Sequence, residues 1–177
     1  KYFVICGSLM FVFTVAFLNI FKELIVSDPS YWIAIDIVPI VLLANLCLGI
    51  YFNLAIWYKL TDKTRFGMYF SIIGAIITIV LNVIMIPKIG FMASAWATLT
   101  AYGIMMLLSY FIGKKHYPVP YNIKKILSYL FSATLLSYVS FNYFRDNYLV
   151  SIGLLIIFAF LTYFNEKKEI LRMLKRN

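Results

Sequence analysis

Charge is scarce in this chain. Asp, Glu, Lys and Arg make up 13% of its 177 residues, about half the share found in soluble domains. Cysteine is limited to Cys6 and Cys47, both inside apolar runs and neither in a C-x-x-C spacing. A disulfide framework and a zinc-type cluster are therefore excluded, and both thiols read as small apolar packing residues. There is one histidine, His116, in a basic loop. No Ser/His/Asp set, paired carboxylates or glycine-rich phosphate loop is present, so the sequence points to no catalytic residue, no metal and no cofactor, and the chain does not read as an enzyme. A cleavable signal peptide does not fit either, because the first apolar run is too long and no A-x-A pattern follows it.

What is present in excess is apolar surface. Apolar residues are 63% of the chain and the mean hydropathy is +0.90. A soluble domain needs polar cover that this composition does not supply. That excludes a water-soluble enzyme, a disordered tail and a nucleic-acid-binding domain. Long apolar runs in lipid become helices, because every backbone group must find its partner within the segment. Six such runs are legible: Tyr2–Phe21, Trp32–Tyr58, Phe66–Ile86, Phe91–Gly113, Ile126–Phe144 and Tyr148–Phe164. Their borders carry Tyr31, Trp32, Trp57, Tyr58, Tyr117, Tyr148 and Tyr163, the aromatic belt of a membrane interface. The expected fold is an all-α integral membrane bundle of six helices, with 1–113 holding four spans, 114–125 a basic loop stiffened by Pro118 and Pro120, 126–164 two further spans, and 165–177 a basic tail of one or two helical turns. Lys1 in place of Met suggests a piece of a longer chain.

The net charge of +9 is asymmetric. Lys1 and the segments 59–65, 114–125 and 165–177 hold 13 of the 16 Lys and Arg and net +10, whereas the opposite side, with Asp36 included, nets −1. By the positive-inside rule both ends of the chain are expected in the cytoplasm, and the basic side is expected to attract anionic lipid, not nucleic acid.

Polar groups at depth are the candidate functional residues. Asp36 is the one ionisable residue inside a run. It reads either as an interfacial carboxylate at a helix start, favoured by the helix dipole, or as a proton or cation site. In the second run Pro39 is expected to kink the helix. Asn45, Gly49 and Asn53 recur every four residues on one side, for interhelical hydrogen bonds or for a polar lining. Ser71, Ala75, Thr78 and Asn82 form one small, polar stripe in the third run, and Gly90, Ala93, Ala97, Thr100 and Ala101 a small stripe in the fourth. Such stripes read as tight helix–helix seams, or, for Thr78 and Asn82, as the wall of a hydrated cavity. The segment Ile86-Pro87-Lys88-Ile89-Gly90 is expected to stop one helix at the proline and to turn at the glycine into an antiparallel neighbour.

The order of these features resembles a family. A Pro- and Asn-containing helix is followed by KLTDKTRFG, with Lys59, Thr61 and Arg65 in a K-x-T-x-x-x-R pattern. A helix ending NVIMIPKIGFMASAWATL comes next, with Asn82, the I-P-K-x-G turn and a small-residue run containing A-T. Over about residues 1–113 this is similar to polysaccharide flippases of the O-antigen type, in the MATE-like multidrug/oligosaccharidyl-lipid/polysaccharide exporter superfamily. The resemblance implies the C-terminal part of a two-lobe helix bundle in a bacterial inner membrane, completed by N-terminal helices of the same chain. The implied activity is alternating-access flipping of an undecaprenyl-pyrophosphate-linked oligosaccharide in lipopolysaccharide biosynthesis. Lys59, Lys63 and Arg65 would then meet the diphosphate at the cytoplasmic mouth, and Asn45, Asn53, Thr78 and Asn82 would face the substrate. Family members carry cationic groups in the cavity. Here no Lys or Arg lies deep in a span, which implies that the cationic site lies upstream. A cation-coupled multidrug antiporter of the same fold and a non-transporting membrane partner are the alternatives.

Overall fold

The structure is a computed structural model that describes residues 1–26, 28–119, 122–145 and 147–174. Its elements are α1 (Tyr2–Ala16), α2 (Leu18–Ile25), a 3₁₀ segment (Pro29–Ile37), α3 (Val38–Leu54), α4 (Ile56–Leu60), α5 (Arg65–Ile89), α6 (Met92–His116), α7 (Ile123–Tyr143) and α8 (Tyr148–Leu174). Among the described residues there is no strand. This is an all-α protein with the apolar helices of a multi-pass membrane protein. Tyr31–Leu60, Arg65–Ile89, Met92–His116 and Tyr148–Lys167 are each long and apolar enough to cross a bilayer.

The other two expected spans differ. Tyr2–Phe21 is not one straight helix, since α1 and α2 meet at Phe17 with a bend of 69°. The rings of Phe13 and Phe17 pack 5.0 Å apart at the break. Asn19, just beyond it, is tied to Arg145 by two hydrogen bonds: its Nδ2 donates to the Arg145 carbonyl (3.1 Å) and its Oδ1 accepts from Arg145 Nε (3.3 Å). Satisfying this pair holds α2 off the axis of α1. Helix α7 has the length of a span, 21 residues, but its Ser, Asn, Tyr and Lys content keeps it out of the strongly apolar set.

The chain forms two compact units, Lys1–Trp32 with Asn122–Asn177, and Ile33–Tyr121. Packing thus groups α1 with α7 and α8, helices distant in sequence. In this first unit the seams are lined by the small and hydroxyl-bearing residues Ser8 on α1, Ala133, Ser137 and Ser140 on α7, and Ser151 on α8, with Val12 and Phe158 filling the space beside them, all buried. Ser140 Oγ and Ser151 Oγ share a hydrogen bond of 3.2 Å across α7 and α8. Lipid is as apolar as leucine, so helices gain little by burying leucine and more by close approach of small side chains.

In the second unit α6 is the centre, packed against both α3 and α5. Apart from Ala95, its buried positions Ala93, Ala97, Ala101, Met105, Ser109 and Gly113 recur every four residues. Each step of four residues advances about 40° around a helix. The stripe therefore winds, and one helix seats two neighbours. The expected seam is found for Ala93, Ala97 and Ala101, while Gly90 and Thr100 are exposed. The core here is Tyr51, Ala55, Trp57, Tyr58, Phe70 and Met105.

Three helix ends depart from the sequence expectation. Pro39 lies in the first turn of α3 and kinks nothing; its absent N–H is one the first turn leaves unbonded anyway. Pro87 sits inside the last turn of α5, which runs on to Ile89 before Gly90 reverses the chain at φ 59°. A left-handed φ is open to glycine at no steric cost, so the glycine and not the proline ends the helix. The tail continues α8 without a break to Leu174; its last residues, 175–177, lie outside the described residues.

Two glycines of α6 are expected to respond to alanine with opposite signs. At Gly103 an added Cβ meets nothing within 4 Å, so Gly103→Ala stabilises by about 0.5–1 kcal/mol through helix propensity alone. At Gly113 the same atom would lie 2.7 Å from Trp57 Cδ1 and Nε1. Trp57 is buried and packed between the Phe66 and His116 rings, and overpacking costs about 1–3 kcal/mol, so Gly113→Ala is net destabilising. Thermal melts of both variants in detergent check the pair; two shifts of the same sign would refute the close packing of Trp57 on α6.

Candidate functional site

The polar residues singled out from the sequence fall into three settings. The first is internal satisfaction. Asn53 Nδ2 donates to the Gly49 carbonyl at 2.9 Å, and Thr78 Oγ1 to the Gly74 carbonyl at 2.9 Å. Asn82 is engaged across the hairpin, accepting at Oδ1 from Ser94 Oγ of α6 at 3.1 Å. The stripe of α5 is therefore split: Thr78 and Asn82 are half-buried toward α6, whereas Ser71 and Ala75 are exposed. The α5 face that meets α6 holds Phe70 and Gly74, its two buried residues.

The second setting is exposure at depth. Asn45 is exposed on α3, and among the described residues its amide makes no hydrogen bond. Tyr31–Leu60 passes as one span, and Asn45 is its midpoint, fourteen residues after Tyr31 and fifteen before Leu60. Asn45, Gly49 and Asn53 lie on one side of α3 at four-residue spacing. Asp36 is also exposed, but it belongs to the 3₁₀ segment ahead of α3 and not to the helix's first turn, which holds no acid.

The third setting is the basic end of the second unit. Lys59, Lys63 and Arg65 are all exposed around the turn that joins α4 to α5. Asp62 adopts φ 56° there, and the Lys63 N–H donates to the Tyr58 carbonyl at 2.8 Å. Beside this turn lies an aromatic cluster that no local sequence pattern announces. His116 stacks on Trp57 with ring centroids 5.3 Å apart and planes at 17°; Phe66 lies 5.4 Å from His116 and 5.2 Å from Trp57. Tyr51 and Tyr58 share a hydrogen bond of 3.3 Å between their hydroxyls. His116, expected to be a plain loop residue, instead ends α6 and stays exposed while capping a buried tryptophan.

Sequence reasoning missed one site entirely. Glu166, placed in the tail, is 3% exposed. In the first unit its Oε1 accepts from Tyr129 OH at 2.6 Å and from Lys125 Nζ at 3.2 Å, and its Oε2 pairs with Lys1 Nζ. Tyr129, also buried, and Lys125 come from α7, so one carboxylate joins residues from the start of the chain, α7 and α8. A signal was available: Glu166 lies four residues after Thr162 and eight after Phe158, continuing the buried face of α8 at helical spacing. Among the described residues no group of three His, Cys, Asp or Glu is placed to hold a metal.

No family model, curated protein or solved structure matches this chain.

Proposed function

We propose that the chain is the C-terminal portion of a bacterial inner-membrane transporter that flips lipid-linked oligosaccharide, and that the Asn45–Gly49–Asn53 face of α3 lines its polar path. One observation carries this reading: a carboxamide at mid-span, on an exposed face and with no partner. Transfer of an unpaired amide into a medium without hydrogen bonds costs about 4–8 kcal/mol, so such a group at the bilayer centre calls for a wet path or a polar partner. The exposed, satisfied Asn53 two turns along extends a polar surface suited to a sugar. The motif resemblance through Lys59, Thr61, Arg65 and Asn82 supplies the substrate class, and the smooth separation of +10 from −1 supplies the orientation, with both ends of this chain cytoplasmic. In this reading the protein moves its substrate without altering it chemically, and the remaining helices of the full chain complete the path.

The test is rescue of surface polysaccharide in a bacterial strain lacking its own flippase by the full-length protein. Failure of a well-expressed protein to rescue, together with energy-dependent efflux of cationic drugs, would favour the antiporter instead. Orientation is checked separately. Lys88→Cys, in the last turn of α5, is expected to react with an impermeant thiol reagent from outside intact cells; labelling only after lysis would refute it. Asp146, on the same expected side, lies outside the described residues.

A further inference from the structure

The short helix α2 is amphipathic in the reverse sense to a helix resting on a protein in water. At helical spacing Asn19, Lys22 and Glu23 fall on one side, and Ile20, Phe21, Leu24 and Ile25 on the other. In water the apolar side would face the protein and the polar side the solvent. Here Leu18 and Asn19 are the buried residues, and Asn19 is committed to Arg145. Lys22 is half-buried, with its Nζ 4.1 Å from the centroid of the Trp32 ring. The apolar side is left outward: Ile20 is 37% exposed, and Leu24 and Ile25 are each 75% exposed.

The packing of the first unit sets the level of this helix. Lys1 and Lys125 meet Glu166 at one end, and Asn19 meets Arg145 at the other, so α1, α7 and α8 run between the same two ends. The Tyr148–Lys167 span of α8 has 20 residues and is about 30 Å long, the thickness of a hydrocarbon core. Arg145 precedes that span in the turn from α7. Its tie to Asn19 therefore starts α2 at the border of the core. From there α2 leaves the axis of α1 at 69°. Its eight residues are about 12 Å long and gain only about 4 Å along that axis. Trp32 folds back on its far end, where Nε1 donates to the Val26 carbonyl at 3.2 Å, an acceptor that a helix end leaves open.

We propose that α2 is an interfacial helix, lying along the bilayer surface at the level of the α7–α8 turn, with Ile20, Leu24 and Ile25 in the headgroup–acyl boundary of the lipid. Water does not suit this face, because it holds three large apolar side chains and no polar one. A second protein helix suits it less than lipid does, because helices in membranes close on small residues and this face has none. The exposed Glu23 lies on the opposite side, toward water. Lys22 over Trp32, with Tyr31 exposed beside it, has the composition of a membrane interface, where a cation and aromatic rings keep polar tips wet and apolar bodies buried. The inference does not depend on what the protein transports.

The experiment is spin labelling of the full-length protein, its native cysteines replaced by alanine, in bilayers of phosphatidylethanolamine and phosphatidylglycerol. Single cysteines are placed by Ile20→Cys, Glu23→Cys, Leu24→Cys and Ile25→Cys, all at exposed positions where a label disturbs no packing. Collision with oxygen, which partitions into lipid, is compared with collision with a water-soluble nickel chelate. The labels at positions 20, 24 and 25 are expected to favour oxygen and to lie about 5–10 Å below the phosphates, and the label at 23 to favour nickel. A label at 24 near the bilayer centre, about 15 Å below the edge of the core, would mean a broken span and overturn the proposal. Nickel dominance at all four positions would place α2 in water, and low collision with both reagents at 24 and 25 would mean a covering protein segment; either result removes the helix from the lipid interface.

Discussion

Replacing Glu166 by Gln is expected to destabilise the unit formed by α1, α7 and α8 by about 2–3 kcal/mol. Glutamine keeps the shape and can still accept from Tyr129, so the change removes charge alone. Lys1 and Lys125 then lose the carboxylate they share. Breaking a buried pair by neutralising one member costs about 3–5 kcal/mol when the other stays buried. The lysine side chains are 21% and 30% exposed and can recover part of their hydration, which sets the lower figure. Melting in detergent reads the loss, and Lys125→Met in the Glu166→Gln background should return part of it. An unchanged melting temperature in Glu166→Gln would show that the cluster is not a structural tie. Tyr129→Phe is a milder probe, removing one hydrogen bond to a charged acceptor, worth about 1.5–3 kcal/mol.

Asn45→Leu is expected to cut polysaccharide rescue by about ten- to a hundredfold, the effect of one lost hydrogen bond to substrate or path water, while stability holds. The amide donates to nothing in the described chain, so its removal breaks no contact seen here. The same substitution separates three situations. On a lipid-facing surface leucine would raise stability and leave transport intact, because it relieves the cost of an amide in hydrocarbon. Against a further helix it would lower stability along with transport. Only loss of transport at unchanged stability places Asn45 on the path, and either of the other outcomes would remove it from there. Expression level and melting temperature measured beside rescue make the distinction.

The two substitutions lie in different units and call on different parts of the sequence. Asn45 was visible at once, since an amide within an apolar run stands out by composition. Its exposure was not, because the face a helix buries is decided by its neighbours. Thr78 and Asn53 illustrate the same point: each was a candidate for a polar lining, and each spends hydrogen-bonding capacity on its own helix. Asn82 does so on the next helix. Glu166 was obscured by its neighbours in sequence, lying in a run of charges that reads as a solvated tail. Its environment comes from Lys1 and Tyr129, distant in sequence. The Trp57–His116 stack escaped for the same reason, as its partners come from two elements joined through a long hairpin.

The sequence by itself determined that this is a helical membrane chain, where most of its helices run, and that α5 and α6 pair through a tight turn. Those features follow from local physics: backbone groups in lipid must be satisfied within the helix, a glycine at φ 59° reverses the chain, and small residues spaced by four make a seam. Only the tertiary structure decided that α1 bends at Phe17 and joins α7 and α8, and that Glu166 is buried among Lys1, Lys125 and Tyr129. Each of these depends on which distant side chain arrives to share a charge or a hydrogen bond, and a one-dimensional pattern of hydropathy carries no record of that.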